Sequence, residues 1–137
     1  MSTPIICFFN HKGGVSKTTT TFNVGWAMAD SGHDVMLVDA DPQCNLTGMA
    51  LEMSGIDELA ALYESERNAN IYHALLPAFG GNPEKITPAN LIDTRHPKLK
   101  LLAGHIDVSA FESELAMAHK LLGAMPVLQN LPGALGH

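Results

Sequence analysis

Apolar residues along this chain fall into runs and periodic faces separated by glycine, proline and acidic turns, and their spacing predicts its elements. Residues 4–9, PIICFF, form a continuous apolar run rather than an alternation, as expected for a strand buried on both faces in the middle of a parallel sheet. Phe22, Trp26 and Ala29 recur at steps of four and three, which defines one face of a helix that Gly32 closes. Residues 34–38, DVMLV, predict a second short strand ending in Asp39-Ala40-Asp41-Pro42, where the proline lacks the N–H a strand interior needs. The first 42 residues therefore read as a βαβ unit. A right-handed crossover makes its two strands parallel, with both C-terminal ends on one edge of the sheet, the edge at which ligands bind.

Beyond that unit the pattern weakens. Residues 43–54 read as loop or weak helix, residues 57–65 and 70–79 as short helices, 80–83 as a loop and 91–92 as a brief strand or turn. Residues 98–103, KLKLLA, predict a third strand. Ser109 then caps a helix with Phe111, Leu115, Ala118 and Leu122 on its apolar face, and Glu112 completes a capping box. The last residues, QNLPGALGH, start another helical pattern, and three strands are few for a two-sided α/β domain. Residues 1–137 are thus expected to be the N-terminal part of a single, longer α/β domain.

Between the first strand and the first helix lies NHKGGVSKTTTT, residues 10–21. Its glycines let successive backbone N–H groups curl around an anion, and Lys17 and Thr18 stand where a phosphate and its Mg²⁺ need a cation and a hydroxyl. The common phosphate-loop pattern, G-x-x-x-x-G-K-[ST], is half met: His11 and Ser16 occupy its glycine positions, and an additional Lys12 stands at the mouth of the loop. A serine at position 16 costs on the order of 1 kcal/mol if φ there is positive, and little otherwise.

Composition narrows the classes without choosing among them. A chain of 137 residues, 46% hydrophobic and 16% charged, suits one soluble domain. Fourteen acidic against eight basic residues, net −6, argue against a broad nucleic-acid surface. No apolar run approaches the roughly 20 residues that span a bilayer. Cys7 and Cys44 lack paired spacing and no signal peptide precedes them, which fits a reducing cytoplasm. The seven histidines show no metal-ligand spacing and read as surface or loop residues. Cys44 reads as a loop thiol, and Arg95, His96, Lys98 and Lys100 as a solvated basic loop.

Lys12, Gly13, Gly14, Lys17 and Thr18, together with VDADPQ at residues 38–43, resemble the deviant Walker A ATPases of the ParA/MinD superfamily, most of all the Soj-like ParA partition proteins. LKLLAGHIDVSAFESEL, residues 99–115, is similar to a later family segment, so the resemblance spans nearly the whole chain. It implies a P-loop NTPase fold, doubly wound, with a mainly parallel sheet and flanking helices. ATP and Mg²⁺ are the implied cofactors. Backbone amides of Gly13, Gly14, Val15, Ser16, Lys17 and Thr18 would hold the β-phosphate, Lys17 would reach the β and γ oxygens, Thr18 would ligate Mg²⁺ and Thr19 would contact the α-phosphate. By the same resemblance Lys12 crosses a dimer interface to the partner's nucleotide, Asp41 orients the attacking water and Asp39 supports the Mg²⁺ shell. Taken as residues alone, Asp39 and Asp41 before a proline also fit a solvated turn.

The resemblance further implies a cytoplasmic, ATP-dependent homodimer, non-specific DNA binding through a surface outside this chain, a ParB-like stimulating partner and no membrane contact. Two other readings remain at this point. One is a nucleotide-binding module or inert fragment without turnover, since the family's Walker B strand and switch aspartate lie beyond position 137. The other is a different branch of the superfamily, a MinD-like positioning ATPase or a nitrogenase-iron-protein-like reductase.

Overall fold

The computed structural model describes residues 3–10, 14, 16–55, 70–79 and 89–111. Within them, helix α1 (Lys17–Asp30) leads into strand β1 (Val35–Val38), followed by α2 (Asn45–Ser54), α3 (Ile71–Phe79), β2 (Ile92–Asp93), β3 (Leu99–Leu102) and a 3-10 turn at Ile106–Val108. The sheet runs β1-β3-β2. β1 pairs with β3 in parallel, Val35 opposite Leu99 and Val38 opposite Leu102, while β2 pairs with β3 antiparallel. The parallel pair is connected through α2 and α3, the helical crossover that parallel strands require.

The expected face of α1 is the one that is used. Phe22, Gly25 and Ala29 are buried, with Trp26 packed at the margin of a core made by Leu37, Leu99 and Leu101 of the sheet and Leu46, Ala50 and Leu51 of α2. Gly25 lets helix and sheet approach closely: a Cβ there would sit 2.6 Å from Leu37 Cδ2. Gly32, at φ 94°, ends the helix in the conformation that favours glycine. At this end Lys98 Nζ donates to Gly32 O at 2.6 Å and His96 Nε2 donates to Asp30 Oδ1 at 3.2 Å. Both partners lie just before β3. The C-terminus of α1 is thereby tied to the beginnings of the strands, and its N-terminus comes to the edge where β1 and β3 end.

The first expected strand does not form. Residues 4–9 form no strand of the described sheet, and Ile5 is 93% and Phe9 74% exposed. A continuous apolar run needs neighbours on both faces and both edges. In the described sheet both edges of β3 are taken, the outer edge of β1 does not receive this run, and β1 alternates between buried Leu37 and exposed Met36 and Val38, so it has one covered face rather than two. The parallel unit therefore joins β1 to β3 and leaves the first run out.

Two other differences have local causes. Residues 43–54, expected as loop or weak helix, hold a full helix α2 because a buried carboxylate caps its first turn, and Gly55 at φ 68° closes it. Ser109 does not cap a new helix. Its φ and ψ are already helical, its hydroxyl donates to Ile106 O, and the helical conformation starts earlier, at Ile106, capped by the extended His105, whose ring accepts from Asp107 N. Glu112 and the apolar face beyond Phe111 lie outside the described residues, as do 57–65 and 80–83.

Candidate functional site at the strand ends

Four segments meet at the C-terminal edge of the parallel strands: the start of α1, the loop after β1, the start of α2 and the turn after β3. Gly14, at φ 71°, and Ser16, at φ 57°, both occupy the left-handed region just before α1. Ser16 makes no side-chain cap and the first turn of this 14-residue helix carries no acidic residue of its own. That arrangement suits an anionic ligand, whose oxygens can accept from first-turn amides in the field of the helix dipole. Lys17 and Thr18 are half-buried and Thr19 is exposed at this terminus. Thr21, one turn on, donates its hydroxyl back to Lys17 O at 2.8 Å. Lys12, Gly13 and Val15 lie outside the described residues.

The loop after β1 is built around Asp39, only 3% exposed. Its Oδ2 accepts from Thr47 N at 2.8 Å and from Thr47 Oγ1 at 2.7 Å, and its Oδ1 accepts from Asp41 N at 3.2 Å. Thr47 is the third residue of α2, so Asp39 caps that helix from the end of a strand. A buried carboxylate is tolerable only with donors on it, and here both oxygens have them. Asp41, by contrast, is exposed, with Oδ1 accepting from Gln43 N at 2.9 Å in a local turn. Cys44 N donates to Asp41 O at 2.9 Å, and Cys44 takes the left-handed conformation, φ 54°, to start α2. The two aspartates thus differ: Asp39 faces inward and holds the loop, and Asp41 faces outward at the edge to which α1 brings Lys17 and Thr18.

The turn after β3 contains a cluster that spacing did not reveal. Ile71 N donates to Ala103 O, which brings α3 to the same edge. Asn70, 2% exposed, accepts from His73 N at 3.0 Å to cap α3. His73 Nδ1 lies 3.0 Å from the same oxygen, which makes Nδ1 the protonated nitrogen. The buried Asn70 Nδ2 has no hydrogen-bond partner among the described residues. Tyr72 stacks on His105 and on Phe111, each with centroids 5.1 Å apart. Burial lowers the pKa of His105 below 6.5. Neighbouring Asp107 works against that shift, and His73 adds to it. The sequence reads the histidines as surface or loop residues; His105 does lie in a turn but is buried because the chain folds α3 over it, a tertiary fact without a local signal.

The basic residues 95–100 belong to the opposite side of this arrangement or to the sheet itself. His96 and Lys98 tie down the end of α1, and Lys100 pairs with Asp93 across β3 and β2 at 2.9 Å. Neither Cys7 nor Cys44 forms a disulfide among the described residues, and Cys44 Sγ donates to Pro42 O at 3.5 Å. Among the described residues no group of three or more histidine, cysteine or acidic side chains is placed to hold a metal ion, and no helix is long and apolar enough to cross a membrane.

A family model described as an AAA domain matches residues 3–130. The chain is 33% identical over 112 residues to the chromosome partitioning protein ParA of Caulobacter vibrioides, an alignment covering 81% of the chain and 36% of ParA. It is 47% identical over 55 residues to the sporulation initiation inhibitor protein Soj of Bacillus subtilis, covering 39% of the chain and 22% of Soj. Among solved structures it resembles a Corynebacterium diphtheriae protein at TM-score 0.69 and 27% identity, over 82% of the chain and 38% of that protein. It also resembles cobyrinic acid a,c-diamide synthase of Mycobacterium smegmatis, crystallised with ADP and magnesium, at TM-score 0.56 and 33% identity, over 80% and 38% of the two chains. The P-loop fold class follows from these neighbours. The chain spans well under half the length of each of these relatives.

Proposed function

The chain belongs to the AAA-domain family, with ParA-like sequence over most of its length, and on that premise we propose that it binds ATP with Mg²⁺ at the strand-end edge as part of a ParA-like partition ATPase. The observation that carries this reading is the start of α1. A long helix begins without an acidic cap, behind two left-handed residues, at the edge that also holds Asp39 and Asp41. The residue types fit the group. Gly13, Gly14, Val15 and Ser16 would supply backbone N–H groups to the phosphates, with Thr19 near the α-phosphate, and Lys17 would neutralise the β and γ oxygens. Thr18 would offer its hydroxyl to Mg²⁺. Asp39 would support that shell from behind, since its own oxygens are engaged by Thr47 and Asp41.

Bound Mg²⁺ would supply charge neutralisation on the phosphate oxygens. Asp41, which is exposed, would be the carboxylate that orients the attacking water. Lys12 would act on the nucleotide of a second copy, which makes the working form a homodimer in the cytoplasm. A ParB-like partner and non-specific DNA belong to the same reading of the complete protein.

A second reading concerns the 137 residues themselves: a nucleotide-binding module that does not turn over. Titration of the chain with Mg²⁺ and a non-hydrolysable ATP analogue is expected to show binding. Lys17→Ala should weaken it at least about tenfold, the loss of a charge-assisted contact. Phosphate release by the isolated chain is expected to be negligible. Absence of nucleotide binding by the wild type would overturn the proposal, and rapid phosphate release would overturn the second reading.

A further inference from the structure

We propose that Thr47 and Gly104, which belong to neither the phosphate loop nor the aspartate motif, are positioning residues that set Asp41 through Asp39. The hydroxyl of Thr47 stands at the centre of a continuous relay. Gly104 N, in the turn after β3, donates to Thr47 Oγ1 at 2.8 Å, and Thr47 Oγ1 donates onward to Asp39 Oδ2 at 2.7 Å. Asp39 Oδ1 receives Asp41 N. The turn after β3, distant in sequence, and the start of α2 therefore both reach the loop through one hydroxyl. Gly104, Thr47 and Asp39 are all buried, so water cannot replace any of these partners cheaply.

The relay is closed by close packing. A Cβ on Gly104 would stand 3.1 Å from Asp39 Cγ, 3.1 Å from Cys44 Sγ and 3.2 Å from Asp39 O, so only glycine lets the turn approach the carboxylate this closely. Asp39 N donates to Leu102 O at 3.1 Å, which fixes the backbone of the same residue against β3. The carboxylate is thus held from Thr47, from Gly104 and from its own main chain. Only its Oδ1 contact passes toward Asp41. Losing the Thr47 hydroxyl removes a donor from Asp39 and an acceptor from Gly104 while leaving the Thr47 N–H cap in place. The loop carrying Asp41 then loses its registration rather than its chemistry.

This assignment rests on the nucleotide-binding reading for its consequence but not for its geometry, and the test separates the two. Amide hydrogen exchange of the ligand-free 137-residue chain is compared for wild type, Thr47→Val and Thr47→Ser. In Thr47→Val the Asp41 and Gly104 amides should exchange on the order of tenfold faster, as for a buried hydrogen bond lost, while amides in the middle of α1 keep their protection. Thr47→Ser, which keeps the hydroxyl, should match the wild type.

A second arm measures affinity for the ATP analogue with and without Mg²⁺. Thr47→Val should weaken binding with Mg²⁺ by roughly tenfold and leave the Mg²⁺-free affinity within about twofold, a split that general destabilisation would not produce. Unchanged exchange at Asp41 in Thr47→Val, or a Thr47→Ser chain as impaired as Thr47→Val, would overturn the assignment. Should Thr47→Val fail to fold, Thr47→Ser and Gly104→Ala decide it: wild-type exchange in the first and fast Asp41 exchange in the second support the relay, and the reverse pattern sinks it. Absence of nucleotide binding by the wild type would overturn the functional reading while the exchange arm still judged the relay.

Discussion

Ser16 and Cys44 are the two residues other than glycine that take the left-handed conformation, among those described, and each stands immediately before a helix at the strand-end edge. Such a residue costs about 1–2 kcal/mol relative to a right-handed one. A left-handed residue at the mouth of a helix turns the adjoining backbone sharply. Ser16→Gly is therefore expected to raise the unfolding free energy by roughly 0.5–1 kcal/mol, and Ser16→Val to lower it by about 1–2 kcal/mol, measured by urea denaturation. A loss of stability in Ser16→Gly would mean that the position is not left-handed in solution. The departure from glycine was visible in the sequence. Its conformation was not, because φ at that position is set by how α1 meets the sheet.

At the scale of elements, α1 was fully legible, since the spacing of Phe22, Trp26 and Ala29 is a local property of the chain and Gly32 marks its end. α2 was only half legible. Its cap is Asp39, eight residues before Thr47 and across a turn, so the stabilising contact is invisible to any local pattern. α3 was expected over residues 70–79 and forms at Ile71–Phe79, but what it covers was not legible. It closes over His105, whose pKa is held below 6.5 chiefly by burial. The native state therefore binds fewer protons than the unfolded chain as pH falls below 6.5, and this contribution to stability is intact above 6.5 and is lost as pH falls through the lowered value. The urea midpoint should decline on the acid side of 6.5, and His105→Gln should decline less steeply over the same interval. Identical slopes for the two chains would show that His105 is not what couples α3 to pH.

For the whole molecule, the decisive fact is which apolar residues found a seat. Leu99 and Leu101 are fully buried between β1, β2 and α1, whereas Ile5 and Phe9, more apolar in pattern than either neighbouring strand, lie open. Leu101→Ala should accordingly cost about 2–5 kcal/mol, and Ile5→Thr less than about 0.5 kcal/mol, in the same denaturation experiment. A large loss from Ile5→Thr would place residues 4–9 inside the core after all. Exposed apolar side chains of this extent also favour association, so the Ile5→Thr chain should scatter less light at equal concentration.

The chain's own chemistry, glycines and lysines before a helix and two aspartates before a proline, was determined by sequence, because each of those signals is local and needs only neighbours a few residues away. The parallel pairing of β1 with β3, the exclusion of residues 4–9 and the division of labour between an inward Asp39 and an outward Asp41 were decided only by the tertiary structure. Each depends on which segments, distant along the chain, arrive at the same edge, and whether a strand is buried or a carboxylate is capped is settled by those arrivals.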